Sequence, residues 1–181
     1  MEDPILTVTC REHKGIHERS VYPLVFTGET LKRFWEESNK FPVLFGHNNV
    51  TLEEFQERFF TANEGQVWPR GLHWIIDDWV GMFYLTDIYE NEADAHFTFF
   101  DKKLEGREEL TKKIIEHVFE EFFTFQRLNV SIPCYVNSKV FKFVRDVGFV
   151  AEGRKKSCAL YKGKWFDSIQ FGLLRGELNG R

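Results

Sequence analysis

Apolar residues along this chain recur in two periods, and the switches between them divide it into elements. The segment Ile5-Leu6-Thr7-Val8-Thr9-Cys10 alternates with period two, as an extended strand with one buried face does. After a polar stretch holding His13 and His17, Val21 to Phe26 is apolar again, so residues 1–26 are either two strands or an N-terminal extension followed by the first strand. From Gly28 to Ser38 the period lengthens, with Leu31, Phe34 and Trp35 on one side of a short helix. Thr51 caps a second helix in which Leu52, Phe55, Phe59 and Phe60 recur at helical spacing, and a Pro42–His47 loop separates the two. Extended runs return at Gly71–Ile76 and Trp79–Ile88, joined by a turn at Asp77-Asp78. A turn at Asn91–Asp94 then leads into a strand from Ala95 to Phe100.

The longest helix is expected from Gly106 to about Phe125. Leu110, Ile114, Val118 and Phe122 form one track and Ile115, Phe119 and Phe123 the next, a stripe wide enough to lie against a sheet. Asn129–Pro133 reads as a short strand. Asn137 or Ser138 caps a helix carrying Val140, Phe141, Val144 and Val147, and Gly148 supplies its stop. A closing hairpin runs from Phe149 to Leu174 and turns at Tyr161–Trp165. Antiparallel runs, a strand–helix–strand crossover and a final hairpin predict an α/β fold, a mixed sheet of about seven strands with helices on both faces.

Composition adds limits to that picture. With 181 residues, 43% of them apolar and no internal repeat, the chain reads as a single domain. Its net charge of −4 hides an asymmetry, since residues 1–100 carry 8 Lys/Arg against 17 Asp/Glu and residues 101–181 carry 16 against 11. A basic half suits an anionic ligand, but its interleaved glutamates and lack of a basic stripe argue against nucleic acid. The 20 Phe residues fall chiefly at core spacing. Cys10, Cys134 and Cys158 are unpaired in spacing, so neither a disulfide framework nor a metal site is indicated, and a reducing compartment is expected. None of the six His residues has metal-ligand spacing. No apolar run approaches the roughly 18 residues of a membrane span, so the expected location is the cytoplasm and no membrane is involved.

The stretch from Val136 to Gly153, VNSKVFKFVRDVGFVAEG, resembles the GNAT superfamily of acetyl-CoA-dependent N-acyltransferases, most closely its ribosomal-protein N-terminal acetyltransferase branch. Val80–Ile88 looks like that fold's third strand, and Tyr161–Asp167 resembles the branch's terminal hairpin. The likeness covers about residues 24–178 and assigns residues 24–181 to one domain, with residues 1–23 as an extension or first strand. It implies acetyl-CoA as co-substrate and an amine acceptor, either a small molecule or a protein N-terminus. The family loop that holds the CoA pyrophosphate matches Lys103-Leu104-Glu105-Gly106-Arg107-Glu108. The resemblance therefore assigns Lys103, Gly106 and Arg107 to cofactor binding, with backbone amides at a helix N-terminus as the mechanism. Asn137 supports the same ligand in the family. His96 falls where many relatives carry a base, a role that imidazole suits near neutral pH, with Asp94, Glu92 and Asp87 as solvent-facing alternatives.

The resemblance also exposes departures. Glu108 stands where the family has a small residue, and the usual hydroxyl positions on the last helix are Val140 and Val144. Tyr135, Ser138 and Cys134 are then the nearby substitutes for the proton donor, Tyr135 being the best suited by its pKa. These changes support an alternative, a catalytically silent GNAT scaffold that works as a binding or assembly protein, such as a virus would encode. In that reading a protein partner or a homodimer replaces the acyl acceptor.

Overall fold

In the computed structural model, which describes residues 4–12, 15–41, 51–63, 66–101 and 104–178, the chain forms one eight-stranded mixed sheet with helices on both faces. The expected Pro42–His47 loop lies outside the described residues. The N-terminal alternation forms a two-stranded hairpin, β1 (Leu6–Glu12) and β2 (Gly15–Pro23), at one edge of the sheet. Helices α1 (Gly28–Asn39) and α2 (Leu52–Phe59) follow, each opened by a reciprocal threonine cap, Thr27 with Thr30 and Thr51 with Glu54. A small separate hairpin, β3 (Phe60–Asn63) and β4 (Gln66–Pro69), comes next. It was not expected from the sequence, because two four-residue strands carry too few alternations to register.

The sheet resumes with β5 (Leu72–Ile76), β6 (Gly81–Thr86) and β7 (Glu92–Phe99), then crosses through α3 (Arg107–Glu121) to β8 (Arg127–Pro133). Helix α4 (Ser138–Val147) and the hairpin β9 (Val150–Tyr161)–β10 (Lys164–Leu174) complete it. The strand order is β1-β2-β5-β6-β7-β8-β10-β9. The expected Asn91–Asp94 turn is instead the start of β7, because Glu92, Ala93 and Asp94 pair in parallel with Arg127, Leu128 and Asn129. Helix α3 also ends sooner than its apolar track suggests. Phe122 leaves helical geometry, Phe123 is 78% exposed, and Arg175 donates to the carbonyls of Phe125 at 2.7 Å and Phe122 at 2.8 Å.

Two cores lie on opposite faces of the sheet. The larger joins α3 and α4 to Trp74, Ile76, Phe83, Leu85, Ala93 and Ala95, while the smaller joins α1 and α2 to Ile75 and Met82. Strand alternation therefore lets β5, β6 and β7 carry a ladder of rings on each face. Trp74, Phe83 and Phe97 stack on the α3 side, with centroids 5.2 and 4.8 Å apart. His73, Tyr84 and His96 stack on the other, with centroids 5.4 and 4.4 Å apart and planes within 11° and 7° of parallel. Register partners supply every rung.

His73 is an unusual rung. It is 6% exposed, ringed by Phe26, Phe34, Phe59 and Tyr84, and neither ring nitrogen has a partner in hydrogen-bond geometry. Burial pushes its pKa down to about 4, opposed by the Gly71 backbone and reinforced by His96. Gly71 turns the chain into β5 with φ +105°, and a Cβ there would lie 1.8 Å from the Leu85 carbonyl oxygen. That combination admits only glycine.

Two predictions follow from this packing. Gly71→Ala should destabilise the fold by about 3 kcal/mol or more, since neither φ nor the β6 backbone can yield cheaply; urea denaturation measures it, and a loss under about 1 kcal/mol would mean that the turn relaxes. Because the folded-state pKa of His73 lies below its ordinary 6.5, the unfolded chain takes up a proton first as pH falls. Stability should therefore decline from about pH 6.5 toward pH 4. His73→Phe should remove part of that slope, stabilising the protein by about 1 kcal/mol at pH 7.5 through loss of two unsatisfied buried nitrogens and by about 2 kcal/mol more at pH 5. Equal effects at the two pH values would contradict it.

Candidate active site

The parallel pairing of β7 with β8 stops at Asp94 and Asn129. Beyond it, Ala95–Phe99 and Val130–Pro133 continue as strands without pairing to each other. The sheet is thus split on one side of a single seam, and the backbone groups along the split do not pair across it. At its mouth, on the α1–α2 side, stand His96, Thr86, Asp87 and Asp94.

His96 is held by its neighbours rather than by its own strand alone. Its ring lies flat on Tyr84, and its Nε2 is 2.8 Å from the Thr86 hydroxyl. Protein crowds it on most sides while leaving it partly accessible to solvent, and that crowding lowers its pKa to about 4 despite the opposing carboxylate of Asp87. The imidazole is therefore neutral across the physiological range. Burial likewise raises the Tyr84 phenol, which stays protonated. Asp94 is shifted upward, first by burial and then by the neighbouring Asp87, with Asn129 and Lys155 opposing and Glu92 adding to it. Glu92 already meets Arg127 at 3.7 Å and accepts from Asn129 at 3.1 Å, so the exposed Asp87 and the half-buried Asp94 are the carboxylates that a cation at the mouth would meet.

The chain enters α3 through Gly106. Gly106 takes a left-handed conformation (φ +67°, ψ +17°) as the N-cap and offers no side chain, so the first-turn amides of α3 carry the positive end of the helix without a side-chain cap. A glycine in that conformation followed by a helix N-terminus fits the diphosphate of CoA. The Arg107 side chain is engaged within its own loop. Its Nε donates to the Leu104 carbonyl at 2.7 Å and its Nη2 to the Asp101 carbonyl at 3.0 Å, while the guanidinium lies 5.5 Å from the Phe99 ring centroid. It fastens the loop to the end of β7. Lys103 lies outside the described residues, as does Lys102. Glu108 is exposed in the first turn of α3.

On the other side of the split, Asn137 is the N-cap of α4, its Oδ1 accepting from the Lys139 amide at 2.9 Å. Ser138 is exposed as the first helical residue. Tyr135 stacks on Tyr161 at 4.4 Å and meets Phe166 edge-on at 5.4 Å, and burial followed by Tyr161 raises its pKa. Val144 is buried in the larger core, and Val140 is exposed. Phe143 of α4 packs edge-on against Phe97 and Phe99, with centroids 6.5 and 5.8 Å away, so aromatic rings line the α4 side of the unpaired half of β7.

The sequence points to His96 and to the acids Asp87, Glu92 and Asp94, but not to the other residues that flank it. Thr86 and Tyr84 carry no motif, and only strand register places them beside His96. Asp87, Asp94 and Glu92 were visible as acids, yet their convergence follows from the turn between β6 and β7.

No family model matches this chain, and no curated protein matches its sequence. Solved structures do match its fold. The spermidine N-acetyltransferase from Vibrio cholerae in complex with CoA and spermine superposes with a TM-score of 0.63 at 14% identity, covering 87% of this chain and 97% of that one. A GNAT-family acetyltransferase from Bacillus anthracis gives 0.63 at 14% identity, covering 95% and 100%. A ribosomal-protein-S5-alanine acetyltransferase from Vibrio fischeri gives 0.52 at 17% identity over 61% of this chain and 64% of that one, so the ribosomal branch is one structural neighbour among several. The fold of this chain is that of the GNAT acetyltransferases.

Proposed function

We propose that this protein is an N-acetyltransferase that moves an acetyl group from acetyl-CoA to a positively charged amine. The observation that carries the reading is His96, a neutral imidazole at the mouth of the β7–β8 split, beside Asp87 and Asp94. The Gly106-capped end of α3 supplies backbone donors for an anion on the opposite face of the same strand. Neighbours of the same fold include an enzyme described with CoA and spermine, which agrees with a cationic acceptor.

In this reading the carboxylates draw the cationic acceptor to the mouth, where a neutral amine forms by loss of a proton to solvent. The amine nitrogen attacks the acetyl carbonyl carbon, so that a C–N bond forms while the C–S bond breaks and the sulfur leaves with its electron pair. As that C–N bond forms, the nitrogen's surplus proton becomes strongly acidic, and a weakly basic imidazole can take it. Tyr135, whose phenol is kept protonated, and Ser138 are the hydroxyls that the β8–α4 connection offers to the departing thiolate. Lys103, Gly106, Arg107 and Asn137 remain the proposed cofactor contacts, Arg107 through the loop it fastens. The cytoplasm is the proposed location.

A second reading has its own observation. Phe143 packed on Phe97 and Phe99, with Val144 in the core, places rings along the split where pantetheine would lie, which favours a scaffold that binds a partner instead of CoA.

Transfer of labelled acetyl from acetyl-CoA to a panel of polyamines and peptides tests the leading reading. His96→Ala should reduce kcat on the order of a hundredfold while leaving the acetyl-CoA KM within about twofold. Absence of transfer from every donor–acceptor pair would overturn the assignment. Calorimetry with CoA separates the second reading: heat of binding in the parent protein favours the enzyme, whereas a silent parent with a binding-competent Phe143→Ala variant would identify the rings as a plug.

A further inference from the structure

We propose that Thr86 and Asp87 act as positioning residues for His96, holding its imidazole as the Nε2–H tautomer so that Nδ1 is the nitrogen that receives the acceptor's proton. The inference rests on the acetyl-transfer reading for its chemistry but not for its geometry.

Three observations carry it. The Thr86 hydroxyl lies 2.8 Å from His96 Nε2 and 3.5 Å from Asp87 Oδ2. A hydroxyl has one proton to give, and an ionised carboxylate can only accept. The longer contact is weak as a hydrogen bond and Asp87 is exposed, so water partly screens its field. It is nonetheless the second acceptor within reach of the hydroxyl, and it turns the hydroxyl proton away from Nε2. The lone pair of Thr86 Oγ1 then faces Nε2, which must supply the proton between them. Nδ1 is left as the lone-pair nitrogen, with no partner among the described residues and not sealed from solvent. Asp87 is held for this task by its backbone, which adopts φ +47° directly after β6; a non-glycine residue in that region is uncommon and is retained where the surroundings specify it. Tyr84, stacked 4.4 Å below, prevents the ring from turning out of the plane that the Thr86 contact requires.

The remaining groups around His96 do not compete for Nε2. Tyr84 meets it face-on, His73 lies beyond Tyr84 on β5, and Asp94 stands two residues away on its own strand with its side chain toward Asn129. When Nδ1 accepts a proton the ring becomes a cation. The positive charge is then opposed by Asp87 through Thr86, with Asp94 at the mouth adding to it. No proton passes along the chain to Asp87; the imidazolium returns its proton to solvent from Nδ1. The logic parallels a carboxylate that orients a catalytic histidine without being protonated itself, with a threonine hydroxyl interposed.

Imidazole nitrogen NMR on protein labelled at histidine tests the tautomer directly and needs no turnover. His96 should show a protonated-type shift at Nε2 and an unprotonated-type shift at Nδ1. Thr86→Val, which keeps the shape of the side chain and removes the oxygen, should move the ring toward the Nδ1–H form, and Thr86→Ser should restore the parent spectrum. In the transfer assay Thr86→Val should lower kcat about ten- to a hundredfold with little change in acceptor KM. Asp87→Asn should fall in between, and Thr86→Ser should recover most of the loss. A parent His96 protonated at Nδ1, or a Thr86→Val spectrum identical to the parent, would overturn the inference. Should Thr86→Val fail to fold, the parent spectrum with that of Asp87→Asn decides it, an unshifted tautomer equilibrium in the latter counting against the role of Asp87. A protein that transfers no acetyl group yet shows the expected tautomers would refute the enzymatic reading while leaving the positioning geometry standing.

Discussion

One seam governs the structure: three parallel residue pairs between β7 and β8 join halves of a sheet whose other described pairings are antiparallel. On one side of it, β1, β2, β5, β6 and β7 form a continuous antiparallel block; on the other, β8, β10 and β9 form a second. Parallel neighbours require a crossover, and α3 is that crossover. Because the pairing ends after Asp94 and Asn129, the carboxyl ends of both strands are released toward the same side, where the α3 amides and the first turn of α4 also lie. Open α/β sheets bind ligands at such a break in connectivity. The site is therefore a consequence of where the pairing stops as much as of which residues line it.

The two ring ladders show how one set of strands serves stability and chemistry together. Trp74, Phe83 and Phe97 are apolar and stack against the α3 core, where burial and ring contact both favour folding. One residue away along each strand, His73, Tyr84 and His96 repeat the stacking geometry with polar rings. Stacking fixes the orientation of His96, and the crowding around it keeps it uncharged. His73 bears the cost of this arrangement, with two nitrogens left without partners in an aromatic cage. A phenylalanine there would satisfy the core better, so the retention of an imidazole is a local departure from what packing alone would select.

The helices and long strands were legible in the sequence because each has a wide apolar stripe and a defined end. The threonine caps at α1 and α2 and the Asn137–Gly148 frame of α4 are side-chain signals, readable without coordinates. Where such signals were absent, the reading erred. Residues 91–94 look like a turn because Asn, Glu and Asp outnumber apolar residues, yet Glu92, Ala93 and Asp94 are extended because β8 offers them partners. The β3–β4 hairpin is similarly set by tertiary context. At the site, His96, Gly106 and Asn137 could be selected by position in a pattern. Thr86 could not, since its importance lies in a register partnership between Tyr84 and His96 that a linear sequence does not display. Arg107 illustrates the converse: its chemistry suggested a ligand, and its geometry assigns it to two carbonyls of its own loop.

Arg175 gives the far end of α3 an equally definite attachment, since it donates to the Phe122 and Phe125 carbonyls and lies 5.2 Å from the Phe119 ring centroid. Its positive charge at the negative end of the helix is favourable in its own right. The residue belongs to the chain just past β10, so the last strand of the sheet and the crossover helix share a fastening. Sliding α3 along its axis by a fraction of a turn would have to break that clasp before it could move the Gly106 amides at the opposite end. Residue 175 thus ties the far end of α3 to the end of the last strand, and a change there would loosen a helix whose other end carries the Gly106 cap.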